Sequence, residues 1–576
     1  MRAAPILAVL LATLSAAPAG AWEELPFRAL PGGSPASCLR ATGADGGLAA
    51  LGPREDLATP VDLLAAGGPP AARARARFKI VINCPVLRER GDAAVAAVPD
   101  LGFRSPLAMA VATRDAGGAF AGPGRLGRAT LTDGSYDAAV AASGDAVVAW
   151  AQSEGGRARP RVRIVAARRA GGAAFGALEV LSPWMRAASP EPFLSVTAGI
   201  DGAGRATVAW TAPARPGSED VRVAVASAAP GAPFGGAQVL TPRADSLARI
   251  SLAVAPDGGV LLAHDGVTRE GLRLFERAAG APGFGRAREL PSARPDAFVG
   301  TTNPVLALRD AGAAVVAWRD DADDNSVRAM TRPPGGSFGP PRAVARGGAG
   351  RVLALDKAPS FSETPDLGLS LALSGDGRTV LAWSAPRRLP DTPLAPVAAT
   401  GTLTDGFGAA AVLGSPLRSI ENVTALLLAG GEPAVAWADN ASAATGLGDS
   451  ALESSLRDGR IHLARAATSA GPAARPPEIR LRAPRVQRLL PDQGVRLRVR
   501  CAAACDVRAY LRGTDGLVVG QGASLPAAGA RKLLIETGIA ALAPRRPRRV
   551  VVRVRVAAPG SPVARTLRLP LRLIRR

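Results

Sequence analysis

Along this chain short apolar runs alternate with turn residues, and one run is written six times. Gly144-Asp145-Ala146-Val147-Val148-Ala149-Trp150 puts a tight turn before an apolar strand that ends on tryptophan. The frame returns at Gly204–Trp210, Gly312–Trp318, Gly377–Trp383 and Gly431–Trp437, and at Gly258–His264 with histidine in the tryptophan place. The copies stand 60, 54, 54, 65 and 54 residues apart. Self-similarity at such a period marks a chain built from stacked repeats.

One unit shows the grammar. Ser195–Ile200 reads as a strand, Asp201–Gly204 as a turn and Arg205–Trp210 as the returning strand. Val221–Ala226 alternates as a half-exposed strand does, and a Gly/Pro turn leads through Phe234-Gly235 to Ala237–Leu240. The Phe-Gly pair recurs at Phe175, Phe284, Phe338 and Phe407. Four strands in about 55 residues predict an all-β chain of β-propeller blades. The repeat tryptophans would pack between blades, and each Phe-Gly turn would fix an outer hairpin.

Taken together, these repeats resemble those of secreted bacterial propellers across roughly residues 75–468. They lack the paired Gly-His and Trp-Asp of the WD repeat. Ser374-Gly375-Asp376-Gly377 also brings Asp and Gly together where the sialidase Asp-box separates them. Seven blades fit the strand count best and six also fit, with an N-terminal strand closing the ring. The expected boundaries are a signal peptide at 1–21, a loosely structured lead-in at 22–75, the propeller at 76–468, a linker at 469–477 and a module at 478–576. Phe78–Cys84 is expected to be the propeller's first strand.

The C-terminal module has a different pattern. Ile479–Leu489, Val495–Arg500, Val550–Val556 and Thr566–Leu569 alternate apolar with basic residues, predicting half-buried strands of a small immunoglobulin-like β-sandwich. From Gly471 to Arg576 there are 23 Arg and Lys against 5 Asp and Glu, a net +18 of the whole chain's +22. The module is therefore basic and the rest nearly neutral. Arg496, Arg498, Arg500, Arg553 and Arg555 are the candidate contacts for an anionic surface: a cell-wall polymer, a polysaccharide or another envelope protein. Nucleic acid fits poorly, because Tyr510 is the module's single aromatic residue and offers no stacking platform.

Arg2, the apolar run Ala3–Leu14 and the small residues Ala19-Gly20-Ala21 before Trp22 read as a secretory leader. No later run reaches the about 18 apolar residues that a membrane span needs. The expected product is a secreted or envelope-associated monomer. Its four cysteines then favour disulfides, Cys501–Cys505 and Cys38–Cys84 being the expected pairs among three pairings.

Candidate chemistry is sparse. Asp321, Asp323 and Asn325 have the one-three-five spacing of a calcium loop, but Ser326 stands where glycine is wanted and Arg332 where glutamate is wanted. Calcium is the one cofactor this leaves, and a solvated loop is the competing reading. Gly335-Gly336-Ser337-Phe338-Gly339 matches a nucleophile elbow on paper. Other units use the same place as a turn, and no helix pattern follows, so Ser337 belongs to the repeat. His264 reads as a packing variant of the repeat tryptophan. With two histidines, two tyrosines and no acid at a fixed repeat position, the expected function is a non-catalytic envelope scaffold. The alternative is a glycosidase or lyase whose carboxylates come from different blades.

Overall fold

The computed structural model describes residues 21–25, 40–42, 47–51, 59–65, 72–78, 85–100, 107–115, 118–129, 135–154, 160–189, 194–244, 248–266, 271–290, 304–320, 326–345, 368–385, 395–414, 419–428, 430–440, 460–467, 477–489, 495–512, 518–525, 527–535, 548–558 and 564–575. The fold is all-β. Upstream of residue 470 the described strands form eight antiparallel sheets of four or five strands, in up-and-down order except for the outermost strand of the last. In chain order they are blades 1 to 8.

Blades 3 to 8 are the six units marked by Trp150, Trp210, His264, Trp318, Trp383 and Trp437. Blade 1 is built from Arg40–Ala41, Gly47–Leu51, Thr59–Ala65 and Ala72–Phe78. Blade 2 is built from Val86–Arg90, Ala93–Asp100, Ala108–Arg114 and Ala121–Arg128. Two expectations are corrected here. The count is eight where seven was expected, and much of the supposed lead-in at 22–75 is strand. Phe78 ends a strand of blade 1, and the rest of the expected strand to Cys84 lies outside the described residues.

The ring closes through its own chain terminus. Ala21–Leu25 pairs antiparallel with Arg460–Ala467 as the outermost strand of blade 8, with Ala21 opposite Ala467. An N-terminal closing strand was expected, and its place is now defined. Each neighbouring pair of blades shares its own apolar cluster, including Leu48 of blade 1 with Leu426, Ala436 and Leu463 of blade 8. Glu89 N–H of blade 2 donates to Thr42 O of blade 1 at 2.8 Å.

Packing explains the repeat residues. The glycines at 144, 204, 258, 312, 377 and 431 all have φ between 72 and 90°, the left-handed region where a side chain would strain the turn. Trp150, Trp210, Trp318, Trp383 and Trp437 are at most 1 % exposed. Each faces the preceding blade, as Trp318 does against Leu261, Leu272 and Leu290. Glycine amides 176, 235, 285, 339 and 408 each donate to the neighbouring strand at 2.8–3.1 Å, so the Phe-Gly turn does fix the outer edge.

The C-terminal module consists of two sheets. One orders Ile479–Arg482, Val495–Cys501 and Gly529–Ile535; the other orders Val486–Leu489, Ala564–Arg575, Arg548–Ala557, Cys505–Arg512 and Val518–Leu525. They share a core of Val495, Leu497, Val499, Leu533, Val552, Val554 and Val556. Cys501 and Cys505 are disulfide-bonded at the turn between the sheets. Cys38 and Cys84 lie outside the described residues.

Candidate functional site

The innermost strands line the ring and set its chemistry. Their half-exposed positions include Ala139, Thr197, Gly199, Ser251, Ser370 and Ala372, which are small and uncharged. Several inner side chains stitch one blade to the next instead of facing a ligand. Ser195 Oγ accepts from Ile250 N–H at 3.1 Å, Ser370 Oγ from Ala425 N–H at 2.9 Å and Thr424 Oγ1 from Ala41 N–H at 3.0 Å.

Among the inner-strand side chains that the structure describes, two acids reach this ring, and both are committed. Asp137 accepts from Arg88 at 3.1 Å, Thr197 Oγ1 at 3.1 Å and Ala198 N–H at 3.0 Å. Glu89 accepts from Arg114 at 3.0 Å and Thr42 Oγ1 at 3.2 Å, with its side chain 1 % exposed. Neither is the free carboxylate that acid/base work on a glycosidic bond requires.

Further aspartates sit in the turns between first and second strands, at offsets that vary by up to four residues. They too satisfy backbone. Asp201 Oδ1 accepts from Ala203 and Arg205 N–H, Asp145 Oδ1 from Gly171 N–H, and Asp257 Oδ2 from Ala311 N–H. The variable offset hid them from a search for a fixed repeat position. Among the described residues no group of three or more His, Cys, Asp or Glu is placed to hold a metal ion. Asp321, Asp323 and Asn325 lie outside the described residues. Ser337 is exposed in its inter-strand turn, as the repeat reading requires.

His264 behaves as the packing variant its position suggested. It is fully buried, its Nε2 lies 2.8 Å from Thr241 Oγ1, and its ring stacks on Phe275 at 5.8 Å. Burial pulls its pKa down to about 4. The unfolded chain therefore takes up a proton below about pH 6.5 that the fold refuses until about pH 4. That difference amounts to roughly 3 kcal/mol of stability, present above the unfolded pKa and lost as pH falls through this window. In urea titrations between pH 7 and 4, His264→Trp should fall less steeply than the parent. Equal slopes would show that His264 is not the group responsible.

The basic module divides its candidate arginines. Arg496, Arg498 and Arg500 project from the three-stranded sheet, whereas Arg553 and Arg555 belong to the other sheet and the opposite outer face. The expected single surface is corrected to two. On the three-stranded face, register sets Arg480 opposite Arg500, Arg482 opposite Arg498, and Arg498 opposite Lys532. All six side chains, with Arg496, are exposed, and among the described residues none has a hydrogen bond or ion pair. Glu478 is the single described acid at the end of this face. Like charges directly opposite one another destabilise a sheet, so the face is held at a cost that an anionic ligand would remove. Arg480, Arg482 and Lys532 were not among the candidate contacts. Their alternation was visible, but their partners depend on register.

No protein-family model matches this chain, and no curated protein matches it. Among solved structures, a polysaccharide lyase described as an ulvan lyase is 10 % identical with a TM-score of 0.37, over 63 % of this chain and 90 % of that one. A neuraminidase-like protein of influenza A from a Peruvian flat-faced bat is 11 % identical at 0.29, over 60 % and 91 %. An α-L-arabinofuranosidase from Lactobacillus brevis is 11 % identical at 0.25, over 44 % and 92 %. At this level the likeness assigns no activity to the chain. Against the expectation of a non-catalytic scaffold, which is withdrawn, two of these neighbours carry the names of a polysaccharide lyase and an arabinofuranosidase, on the side of its alternative. Among the described residues no helix is long and apolar enough to cross a membrane.

Proposed function

We propose that this is an extracellular carbohydrate-active protein whose substrate is an acidic polysaccharide. The observation that carries the reading is the three-stranded cationic face, where Arg480, Arg482, Arg496, Arg498, Arg500 and Lys532 stand together with Glu478 as the single described acid at its end. Along a strand, same-face side chains repeat at about 7 Å, and across strands at about 5 Å. Such a lattice suits a linear polymer with one carboxylate or sulfate per sugar. The eight-bladed ring would supply the surface on which the chain is processed, and the sandwich, immunoglobulin-like in outline, would hold it nearby.

The test uses the full chain with a polyuronate, a sulfated polysaccharide and a neutral glucan. New reducing or unsaturated chain ends from an acidic polymer are expected, and none from the glucan. The absence of new ends from both acidic polymers would overturn the reading. Substituting Arg496, Arg498 and Arg500 together by glutamine should weaken polymer retention at least tenfold at low salt, with a shallower salt dependence. Unchanged retention would remove the face from the proposal.

A further inference from the structure

Blade 3 carries a departure from the repeat. After Glu179–Val180 the chain detours through Leu181-Ser182-Pro183-Trp184 and adds a fifth strand, Met185–Arg186, against Arg161–Val162. Trp184 is not a repeat tryptophan. The five repeat tryptophans are sealed between blades, whereas Trp184 is half-exposed at the ring end where second and third strands join.

Around its ring stand guanidinium groups with few anions. The Cζ atoms of Arg163 and Arg161 lie 4.5 and 5.8 Å from the ring centroid. Arg161 pairs with Glu154, but Arg163 has only the neutral Gln152 amide oxygen, at 2.8 Å. Arg222, from blade 4, reaches Met185 Sδ at 3.3 Å, and its buried Nε has no hydrogen-bond partner. Arg186 is exposed, and its backbone carbonyl accepts from Gly217 N–H of blade 4 at 2.9 Å. Among the described residues none of Arg163, Arg186 and Arg222 has a carboxylate partner. A thioether is a weak acceptor for a cation, so Arg222 holds charge in reserve.

We propose that Trp184, Arg163, Arg186 and Arg222 form a subsite for one acidic sugar unit. The C–H face of the sugar stacks on the indole, as other flat-faced ligands do on exposed aromatic rings. Its carboxylate or sulfate takes charge-assisted hydrogen bonds from Arg222 and Arg186, whose planar forks match those oxyanions. The choice of an acidic sugar rests on the polysaccharide reading above, while the site itself is independent of the cationic face.

The test titrates full-length protein with oligogalacturonate, a sulfated disaccharide, neutral maltotriose and ATP, followed by tryptophan fluorescence and calorimetry in a Trp22→Phe background. Saturable quenching by an acidic sugar, and none by maltotriose, is expected. Trp184→Ala should abolish the quench and weaken binding about tenfold or more, and Arg222→Gln and Arg186→Gln should each weaken it about tenfold. Trp184→Phe should restore part of the affinity. Binding unchanged in Trp184→Ala would overturn the proposal. If that variant fails to fold, the exposed Arg186→Gln decides, and unchanged affinity overturns it. Quenching by ATP but by neither acidic sugar would replace the ligand class and overturn it too. The triple glutamine variant of the cationic face should keep the quench, even if the polymer assay fails. Loss of the quench there, with Trp184→Ala still binding, would place the sugar elsewhere.

Discussion

Replacing Trp318 by alanine should destabilise the ring by about 3–5 kcal/mol, the range for removing a large buried aromatic side chain. Trp318 is 0 % exposed and belongs to the apolar cluster that blade 6 shares with Leu261, Leu272 and Leu290 of blade 5. The loss falls on an interface, so neighbouring blades should loosen together. Urea unfolding followed by fluorescence and circular dichroism should report it as a lower midpoint, and hydrogen exchange should rise in both blades. A loss below about 1 kcal/mol would mean that the repeat tryptophan is not the wedge between blades. Trp318→Phe should recover much of the stability, because it refills most of the cavity.

Arg114→Met should have an effect of similar size by different physics. Arg114 and Glu89 are 6 and 1 % exposed and 3.0 Å apart, and Glu89 also accepts from Thr42 of blade 1. Without Arg114, Glu89 is a buried carboxylate that has lost a 3.0 Å ion pair. Removing one member of a buried pair costs about 3–5 kcal/mol, whereas removing both charges can be nearly neutral. The double variant Glu89→Gln with Arg114→Met should therefore be more stable than Arg114→Met alone. Additive losses would show that the pair is not coupled.

Blades 3 to 8 were legible because each pays out the same signal, a left-handed glycine followed by an apolar strand and a large sealed ring. Blades 1 and 2 were not. Ala93–Asp100 in blade 2 carries only alanine and valine before Pro99, and Gly47–Leu51 in blade 1 carries no tryptophan either. Their interfaces are filled instead by Phe78 and Leu87 from other strands and by Leu48, a smaller side chain, from Gly47–Leu51 itself. A count keyed on tryptophan therefore stops short of the true ring. The basic module was legible as alternation, but which arginines share a face depends on strand pairing. Asp137 and Glu89 carried no local motif, since the partners of Asp137 come from neighbouring blades and those of Glu89 from blade 1 and from a strand 25 residues on in its own blade. Trp184 was visible as a tryptophan outside the repeat, yet its arginines come from two blades.

Blade 8 ends in a strand, Arg460–Ala467, whose outer edge is covered by Ala21–Leu25 from the far end of the ring-forming sequence. An uncovered edge of this kind is a template for another chain. The seal is a clasp between the two ends of the ring-forming sequence, and unfastening it leaves both a free strand and a vacant place for one. Two copies in that condition can exchange strands reciprocally, each completing the other's last blade. The same contact that closes the ring within one chain is thus its simplest route to a strand-swapped dimer.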